Sequence, residues 1–566
     1  MIIENKISSL SGLIILFIGC GAIAWAYFNG LSGEFLFDDF PNLAILDQFE
    51  RDGVWVTLKY LMSNIGISSA RPIAYLSFYA DISGWPNDAS KFKVTNIVFH
   101  IANIGLVFLL FYRLALYLDM QKPLWVSVLA ALLWGCNPIH VSTVLYVVQR
   151  MAILSAFFMI LALYLLLVSF GAKGCWRWGW LAASGFFALC SVLSKESGAL
   201  YFGFILVLVP LLKSNKICVL WLRIVKLLAV CGSICIFVYL LMNFDLFVDI
   251  YETRGFKLYD RILIESQILA GYVAAAFFPF FAKFGLFFDN YDVAARRGEA
   301  FESFIYLIGL TLILVFFSKI RKLDKLLAFG IMWFLVGHLL ESTLLPLELA
   351  YDHRNYVPLM GLCFWLSVMI IVRIPKVTEV YKINPRLCVY YEAGVRFAII
   401  LCSVGVLYAW FGVMWAQTNI WRSNYTLVFN DYQGKPNSVR AKMALAELMY
   451  AKGHSEVAVN LILEANKVEP ENILVLLRLV YVDCHSPLAE SALSQVGILA
   501  SKSAQYNGAV LAVKQLLDQI LVGECPRSHL DKVVDIVKSM RNNKAYLLNS
   551  AQKAELDKLY LSVSEG

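Results

Sequence analysis

Two adjacent carboxylates, Asp38 and Asp39, lie in the stretch EFLFDDFPNL at residues 34–43, directly after the first long apolar segment. A carboxylate next to an acceptor hydroxyl can take its proton as general base in a displacement reaction. An acidic pair in this position is also common as a solvated helix cap. We therefore predict that Asp38 or Asp39 is the base on one condition, that cations able to bind the leaving group lie near it.

Cations and other polar residues fall at the predicted ends of further apolar segments. Ionisable side chains at membrane depth are costly unless they face a cavity or a partner, so they are functional candidates. Arg, Lys and His near the membrane surface can bind the phosphate of a lipid-linked leaving group and stabilise the charge that develops on it. The predicted phosphate-binding residues are Arg71, Lys195, His353 and Arg354, and the further candidates are His100, His140, Arg150, Glu196, Glu348 and Asp352. Together these residue types indicate transfer from a lipid phosphate to a hydroxyl.

Some of these residues have structural alternatives. His100 on an apolar face suits a hydrogen-bonded packing residue, and Arg354 suits an interfacial anchor. Lys195 and Glu196, in LSKESG, suit an ion pair at a helix break. The functional interpretation is favoured because all the candidates fall on one face of the membrane. The topology that places them there is predicted from other residues, so it is independent of the candidates.

The composition indicates a polytopic membrane protein. A chain of 566 residues with a mean hydropathy of +0.68 and 16% charged residues is too apolar for one soluble core. Its net charge of +7 comes from Lys and Arg in short loops, where they act as topology signals, so no nucleic-acid partner is predicted. The first apolar segment is too long for a signal peptide and lacks a small-residue cleavage pattern, which predicts a retained span.

Eleven segments have the length and apolarity of spans. They are 7–28, 94–112, 124–141, 148–170, 178–194, 198–212, 225–243, 302–318, 326–345, 357–373 and 396–415. A twelfth segment, 262–281, would put the basic loops on opposite sides if it crossed fully, so we interpret it as re-entrant or interfacial. A miscounted span elsewhere is the alternative. The predicted outer regions are then the first loop 29–93, 244–301, 346–356, and the chain after 416.

The composition changes after Trp421. Amphipathic helices follow, and Pro436 and Pro470 repeat at the 34-residue period of a tetratricopeptide repeat. One repeat is well supported and the next matches loosely. We predict a transmembrane catalytic domain at 1–415 and a small helical repeat-like domain at 416–566. Cys484 and Cys525 would pair if that region lies in an oxidising compartment.

Several stretches together resemble the GT-C type glycosyltransferases, and within them the transmembrane and tetratricopeptide O-mannosyltransferases with their bacterial pilin-glycosylating relatives. The matching stretches are FDDFPNL at 37–43, RPIAYLSFYAD at 71–81, FKVTNIVFHIANIGLVFLL at 92–110, NPIHVSTVLYVVQRMAILSAFF at 137–158, LSKESGAL at 193–200, the surroundings of 278–292, and YDHRNYVPLMGL at 351–362. Their order and spacing carry the resemblance.

The resemblance implies a polyprenyl-phosphate-linked sugar donor, transfer on the non-cytoplasmic side, and an acidic base in the first outer loop. Asp38 or Asp39 fills that position, and His353 with Arg354 matches the family's late charged pair. Lys195 and Glu196 match a Lys-Glu motif in the middle of the family's chains. The family usually carries many more repeats than this chain, which leaves acceptor recognition by the C-terminal region open.

We therefore expect an all-α, multi-pass enzyme of a bacterial inner membrane that faces the periplasm. It would transfer a sugar with inversion to a Ser or Thr hydroxyl of an exported protein such as a pilin. Alternatives are a transferase that modifies a polysaccharide or lipid A, and a non-catalytic scaffold. A transporter is disfavoured because its polar residues should lie near the bilayer midplane. No cofactor is predicted, although adjacent carboxylates can help to hold a divalent metal.

Overall fold

The protein is an all-α polytopic membrane protein, as predicted. The computed structural model describes residues 2–63, 71–212, 217–243, 257–291, 303–343, 345, 347–373, 385–501, 508–543 and 556–560. Regular structure in these ranges is helical, without a β-strand. Of the predicted regions, 244–256 and 292–302 lie outside the described residues, as do the topology signals Lys213, Lys216, Lys376 and Lys382.

The first part of the chain forms eighteen described α-helices. They are α1 (Ile2–Tyr27), α2 (Asp39–Leu43), α3 (Ile45–Asp52), α4 (Val54–Ser63), α5 (Pro72–Tyr79), α6 (Ser90–Tyr117), α7 (Pro123–Gly135), α8 (Val141–Leu145), α9 (Arg150–Gly171), α10 (Trp176–Val192), α11 (Tyr201–Leu208), α12 (Val219–Met242), α13 (Leu258–Phe277), α14 (Phe304–Val315), α15 (Phe317–Leu323), α16 (Lys325–His338), α17 (Leu359–Val368) and α18 (Pro385–Ile420). Helix α6 packs against both α7 and α9, and α17 packs against α7.

All eleven predicted spans fall on helices, but these differ in length. Among the described residues, five helices are long and apolar enough to cross a membrane alone, or seven spans result if each of two bent helix pairs counts as one. The bent pairs are Pro123–Gly135 with Pro138–Leu145 and Phe304–Val315 with Phe317–Leu323. The other four predicted spans correspond to the helix Trp176–Val192 and to the shorter apolar helices Glu196–Leu211, Lys325–His338 and Leu359–Arg373.

Local chemistry explains the break behind α7. Pro138 has no backbone N–H to continue the helix, and the Asn137 side chain accepts a hydrogen bond from the Ile139 N–H. The ambiguous segment 262–281 becomes α13, followed by a 3₁₀ turn at Pro279–Phe281. Helix α13 is not among the long apolar helices, and it buries an ion pair between Arg261 and Glu265 at 2.8 Å.

The C-terminal part of the chain continues the helical fold. Its described helices are α19 (Asn424–Gly434), α20 (Val439–Ala451), α21 (Ser455–Val468), α22 (Ile473–Val482), α23 (Pro487–Ala500), α24 (Ala509–Val522) and α25 (Leu530–Asn542). Helices α20 and α21 pack together over the predicted repeat. A disulfide joins Cys484 to Cys525, with Cα atoms 5.6 Å apart. Helix α18 continues past residue 415 to Ile420, and the division at 415/416 stays a prediction.

Helix α19 is attached to the segment 284–291 by buried polar contacts. The Asp431 carboxylate accepts hydrogen bonds from the backbone N–H groups of Leu286 and Phe287, at 2.7 and 3.2 Å. Lys435 donates to the Phe287 carbonyl at 2.6 Å and to Asp431 at 2.7 Å. Because these buried groups satisfy one another, α19 is fixed against the membrane part of the chain.

Candidate active site

Asp39 is a buried anchor for the turn that follows α1. Its side chain is inaccessible to solvent. One carboxylate oxygen accepts the Leu36 N–H at 2.8 Å, and the other accepts the Val148 N–H at 2.7 Å. Burial raises the pKa of Asp39 to about 7, against the opposing effects of these bonds and of Lys93. Both oxygens of Asp39 are therefore occupied by the protein's own backbone.

The same turn leaves Asp38 exposed. The Asp39 N–H donates to the Leu36 carbonyl at 2.7 Å, and the Asp38 N–H donates to the Tyr146 hydroxyl oxygen at 2.9 Å. Phe37 has a φ of 25°, which is a strained value for a bulky residue. Its ring packs against Phe287 with centroids 5.0 Å apart. The turn is thus held by Tyr146 and by Phe287, and Asp38 is its solvent-accessible carboxylate.

Asp38 faces charges from three parts of the chain. Although Asp38 is exposed at the surface, desolvation by the protein packed around it raises the pKa of its carboxyl; Arg440 lowers this pKa, Glu348 raises it, and the Tyr146 hydroxyl lowers it. Glu348 and Arg440 form an ion pair at 2.9 Å. A carboxylate with a raised pKa is a better proton acceptor when ionised, as a general base requires.

A cluster of cations lies at the same end of the bundle. Lys195 pairs with Glu341 at 2.7 Å, and the Arg354 Nε lies 3.4 Å from the same carboxylate. Arg71 donates two hydrogen bonds to Glu196, at 3.1 and 2.9 Å. Burial alone would raise the pKa of Glu341, but Lys195 and Arg354 hold it well below its ordinary value. The predicted phosphate-binding cations are therefore neutralised by carboxylates of the protein itself.

The cation cluster opens into a narrow cleft between apolar helices. The cleft has a volume of about 30 Å³. Its polar wall contains Lys195, Glu341, His353 and Arg354, and its apolar wall contains Ala152, Ala156, Met159, Leu200, Phe204, Val357 and Pro358. A charged end next to an apolar wall suits the chemistry of a lipid phosphate, but the cleft has room for about one water molecule in this structure, so a lipid head group could enter only if the cleft widened.

Tyr351 connects the cation cluster with the surroundings of Asp38. Its ring stacks on His353 at 4.9 Å, and the Arg354 guanidinium lies 5.6 Å from the ring centre. Burial, Glu348 and Asp38 all raise the pKa of the Tyr351 hydroxyl. Arg354 also donates to the carbonyls of Glu348 and Leu349, at 2.5 and 2.6 Å. The segment 347–356 therefore joins the two groups of charged residues.

His353 is half-buried within the cation cluster. Burial lowers the pKa of its imidazole well below the ordinary value, and the charge of Lys195 lowers it further. We therefore treat His353 as a neutral hydrogen-bonding group rather than a cation. Its role in binding the phosphate stays a prediction, in which a neutral imidazole would supply a hydrogen bond and no charge.

Three of the further candidates lie inside the bundle. His100 bonds the Tyr356 hydroxyl at 2.7 Å and the Gly135 carbonyl at 3.0 Å. His140 is fully buried beside it, with ring centroids 6.4 Å apart. Arg150 is also fully buried and pairs with Asp81 at 2.6 Å. These positions suit packing and attachment of the first loop, so we leave the three residues out of the proposed chemistry.

Asp352 lies on the other side of the segment 347–356. Burial raises its pKa to about 7, against the opposing charge of Lys435. It lines a second cavity of about 520 Å³ between α13 and the segment 278–291. Asp352 therefore lines a different cavity from His353 and Arg354, which line the narrow cleft.

Four residues of the site were not predicted from the sequence. Glu341 had a signal, because it is the one acidic residue in the predicted span 326–345. Tyr351 stands directly before the predicted Asp352, His353 and Arg354. Tyr146 and Arg440 had no local signal, since their roles depend on distant parts of the chain.

The described ranges contain no group of three or more His, Cys, Asp or Glu side chains arranged to hold a metal ion. Asp38 and Asp39 have different surroundings, since only Asp39 is enclosed by backbone donors. The two adjacent carboxylates therefore do not form a paired ligand set in this structure.

Comparisons with known proteins identify partial relatives. The chain is 26% identical over 209 residues to protein O-mannosyl-transferase tmtc2 of Xenopus laevis, a match that covers 35% of this chain and 22% of that protein. It is 28% identical over 181 residues to human TMTC2 and 28% identical over 188 residues to human TMTC3, both protein O-mannosyl-transferases, over 30% and 31% of this chain.

These matches span about a fifth of the length of the curated relatives, between 20% and 22%. No protein-family profile matches the chain, and no solved structure matches it. Over about a third of its length, the chain therefore resembles the protein O-mannosyl-transferases, which confirms the resemblance predicted from its motifs.

Proposed function

We propose that the protein is a membrane glycosyltransferase that moves a sugar from a polyprenyl-phosphate donor to a Ser or Thr hydroxyl of a protein. The observation that supports this most is the placement of Asp38. It is an accessible carboxylate on a rigid turn, and Tyr351 links its surroundings to a cation cluster that lines an apolar cleft. The similarity to protein O-mannosyl-transferases points to the same chemistry.

In the proposed reaction, Asp38 accepts the proton of the acceptor hydroxyl while the hydroxyl oxygen bonds to the anomeric carbon of the sugar. The bond from that carbon to the phosphate oxygen breaks, and the lipid phosphate leaves with the electron pair. Lys195, Arg354 and Arg71 stabilise the phosphate, and neutral His353 donates a hydrogen bond to it. A direct displacement of this kind inverts the anomeric carbon.

We place the reaction on the periplasmic face of a bacterial inner membrane, with an exported protein such as a pilin as acceptor. The Cys484–Cys525 disulfide supports this, because disulfides persist mainly in oxidising compartments. The basic loops of the sequence support the same orientation.

The test is the intact mass of exported proteins from cells that carry the wild-type gene, a deletion, Asp38→Asn, or Asp52→Asn. Asp52 is an exposed carboxylate in the same predicted loop and serves as the matched control. We expect a sugar-sized mass increment that is lost in the deletion and in Asp38→Asn and kept in Asp52→Asn. An increment that survives in Asp38→Asn would remove Asp38 as base. Unchanged protein masses with an altered polysaccharide or lipid would favour a different acceptor.

A further inference from the structure

The first helix of the predicted repeat, α20, begins beside the segment 347–356. The buried Asp289 carboxylate accepts a hydrogen bond from the Ser438 hydroxyl at 2.5 Å and another from the Arg440 N–H at 3.0 Å. Ser438 in turn caps α20 by accepting the Ala441 N–H at 3.0 Å. A single carboxylate therefore fixes the start of α20 against the membrane part of the chain.

The Arg440 side chain extends from this fixed helix start into the candidate active site. Its guanidinium pairs with the Glu348 carboxylate at 2.9 Å, and it is about half exposed. Within the same segment, Arg354 donates a hydrogen bond to the Glu348 carbonyl at 2.5 Å. The segment 347–356 is therefore braced internally by Arg354 and tied to the C-terminal region by Arg440.

We infer that Arg440 is a positioning residue of the active site, which the C-terminal region supplies to hold Glu348 and the segment 347–356 beside Asp38. The inference rests on the proposed role of Asp38 as base. Five titratable groups face Asp38. Arg440 belongs to α20, and Glu348 and Tyr351 belong to the segment 347–356. Asp39 belongs to the same turn as Asp38, and the hydroxyl of Tyr146 is hydrogen-bonded to that turn. The C-terminal region then contributes to the rate of transfer as well as to any acceptor binding.

The variants are Arg440→Met, Arg440→Lys and Glu348→Gln in the full-length protein, reconstituted in nanodiscs and assayed for sugar transfer. Arg422→Met is the control, because Arg422 is an exposed arginine near the start of the same region. The measurements are kcat, the KM for the lipid donor, the pH profile, thermal unfolding, and amide hydrogen exchange of residues 347–356.

For Arg440→Met we expect kcat to fall roughly 2- to 5-fold, the effect of losing one partly exposed ion pair, with an unchanged donor KM. The acidic limb of the pH profile should move to higher pH, because Arg440 lowers the pKa of Asp38. In Glu348→Gln the limb should move to lower pH, although the same ion pair is lost. Hydrogen exchange of 347–356 should rise in both variants, and Arg440→Lys should recover most of the rate.

Three results would overturn the inference. In the first, wild type transfers sugar and Arg440→Met behaves like Arg422→Met, which leaves the proposed function intact. In the second, Arg440→Met loses activity and thermal stability together, while the acidic limb of the pH profile stays in place in both Arg440→Met and Glu348→Gln. That result indicates a structural role only. In the third, wild type transfers no sugar, and the proposed function falls together with the inference.

Discussion

The Asp39 carboxylate accepts a hydrogen bond from the backbone N–H of Val148 at 2.7 Å, although 109 positions separate the two residues in the chain. This bond ties the turn at 36–39 to the start of α9. It also gives the two neighbouring aspartates different environments, because Asp39 is enclosed and Asp38 is accessible.

The two aspartates should therefore respond differently to substitution. Asp38→Asn should lower the transfer rate by about 10²- to 10⁴-fold without a change in thermal stability, as expected for a general base. Asp39→Ala should destabilise the protein, because two buried N–H groups lose their acceptor at about 1–3 kcal/mol each. Transfer assays and thermal unfolding of both variants check this. Equal stability losses would contradict the division of roles.

The pH dependence of transfer should follow the raised pKa of Asp38. The base acts in its ionised form, so the rate should fall as the pH drops through that pKa, which partial desolvation by the surrounding protein raises above the ordinary value of 3.8. Tyr146→Phe should move this acidic limb to higher pH, because the Tyr146 hydroxyl lowers the pKa of Asp38. A pH–rate profile of both proteins is the measurement, and a limb that moves to lower pH in the variant would refute the assignment.

Lys195 should contribute to donor binding. In Lys195→Met the KM for the polyprenyl-phosphate donor should rise by about 10- to 100-fold, because a charge-assisted hydrogen bond to the phosphate is lost. Lys195→Arg should retain part of the affinity. Lys59→Met, at an exposed lysine of α4, is the control. The measurement is the KM for the donor, obtained by titrating the donor against each variant. An unchanged KM in Lys195→Met would show that Lys195 does not bind the donor phosphate.

Gly285 should be essential for the attachment of α19. A Cβ atom at this position would overlap the carboxylate of Asp431, which is fully buried. Gly285→Ala should therefore displace Asp431, leave the Leu286 and Phe287 N–H groups unpaired, and destabilise the protein by about 1–3 kcal/mol per group. Gly434→Ala is the control, because no atom lies within 4 Å of its added Cβ. Thermal unfolding with limited proteolysis near α19 tests this, and equal behaviour of both variants would speak against it.

The disulfide gives a prediction about both stability and location. Reduction of Cys484–Cys525 releases a loop with a sequence separation of 41 residues. The chain-entropy estimate for such a loop is about 4 kcal/mol, so the reduced protein should unfold at a lower temperature. Thiol labelling of protein isolated from cells, with and without prior reduction, should find the two sulfurs protected until reduction. Full labelling without reduction would contradict placement in an oxidising compartment.

The sequence predicted the positions of the membrane helices well, because long apolar runs such as 148–170 leave few alternatives. It predicted two aspartates of the first outer loop as candidate bases, which stays a prediction, but it did not predict their different surroundings. That distinction depends on Val148 and Tyr146, which only the folded chain brings to the turn.

The sequence also predicted Lys195 and Arg354 but not their shared partner. Glu341 lies in a predicted span, and the helix in fact ends before it, at His338. Arg440 could not be found from its neighbours, because its role arises from the attachment of α20 to Asp289. Local patterns identify elements and residue types, whereas partners from distant segments are determined by tertiary packing.

The pairing of Lys195 and Arg354 with Glu341 has a consequence for ligand choice under the proposed function. A lipid phosphate that entered the cleft would have to compete with Glu341 for Lys195 and Arg354. A neutral polyprenol that fills only the apolar wall cannot replace Glu341. The affinity for a lipid then depends on how much more strongly Lys195 and Arg354 bind its head group than they bind Glu341. The cleft would therefore distinguish lipids by the charge of the head group more than by the length of the hydrocarbon chain.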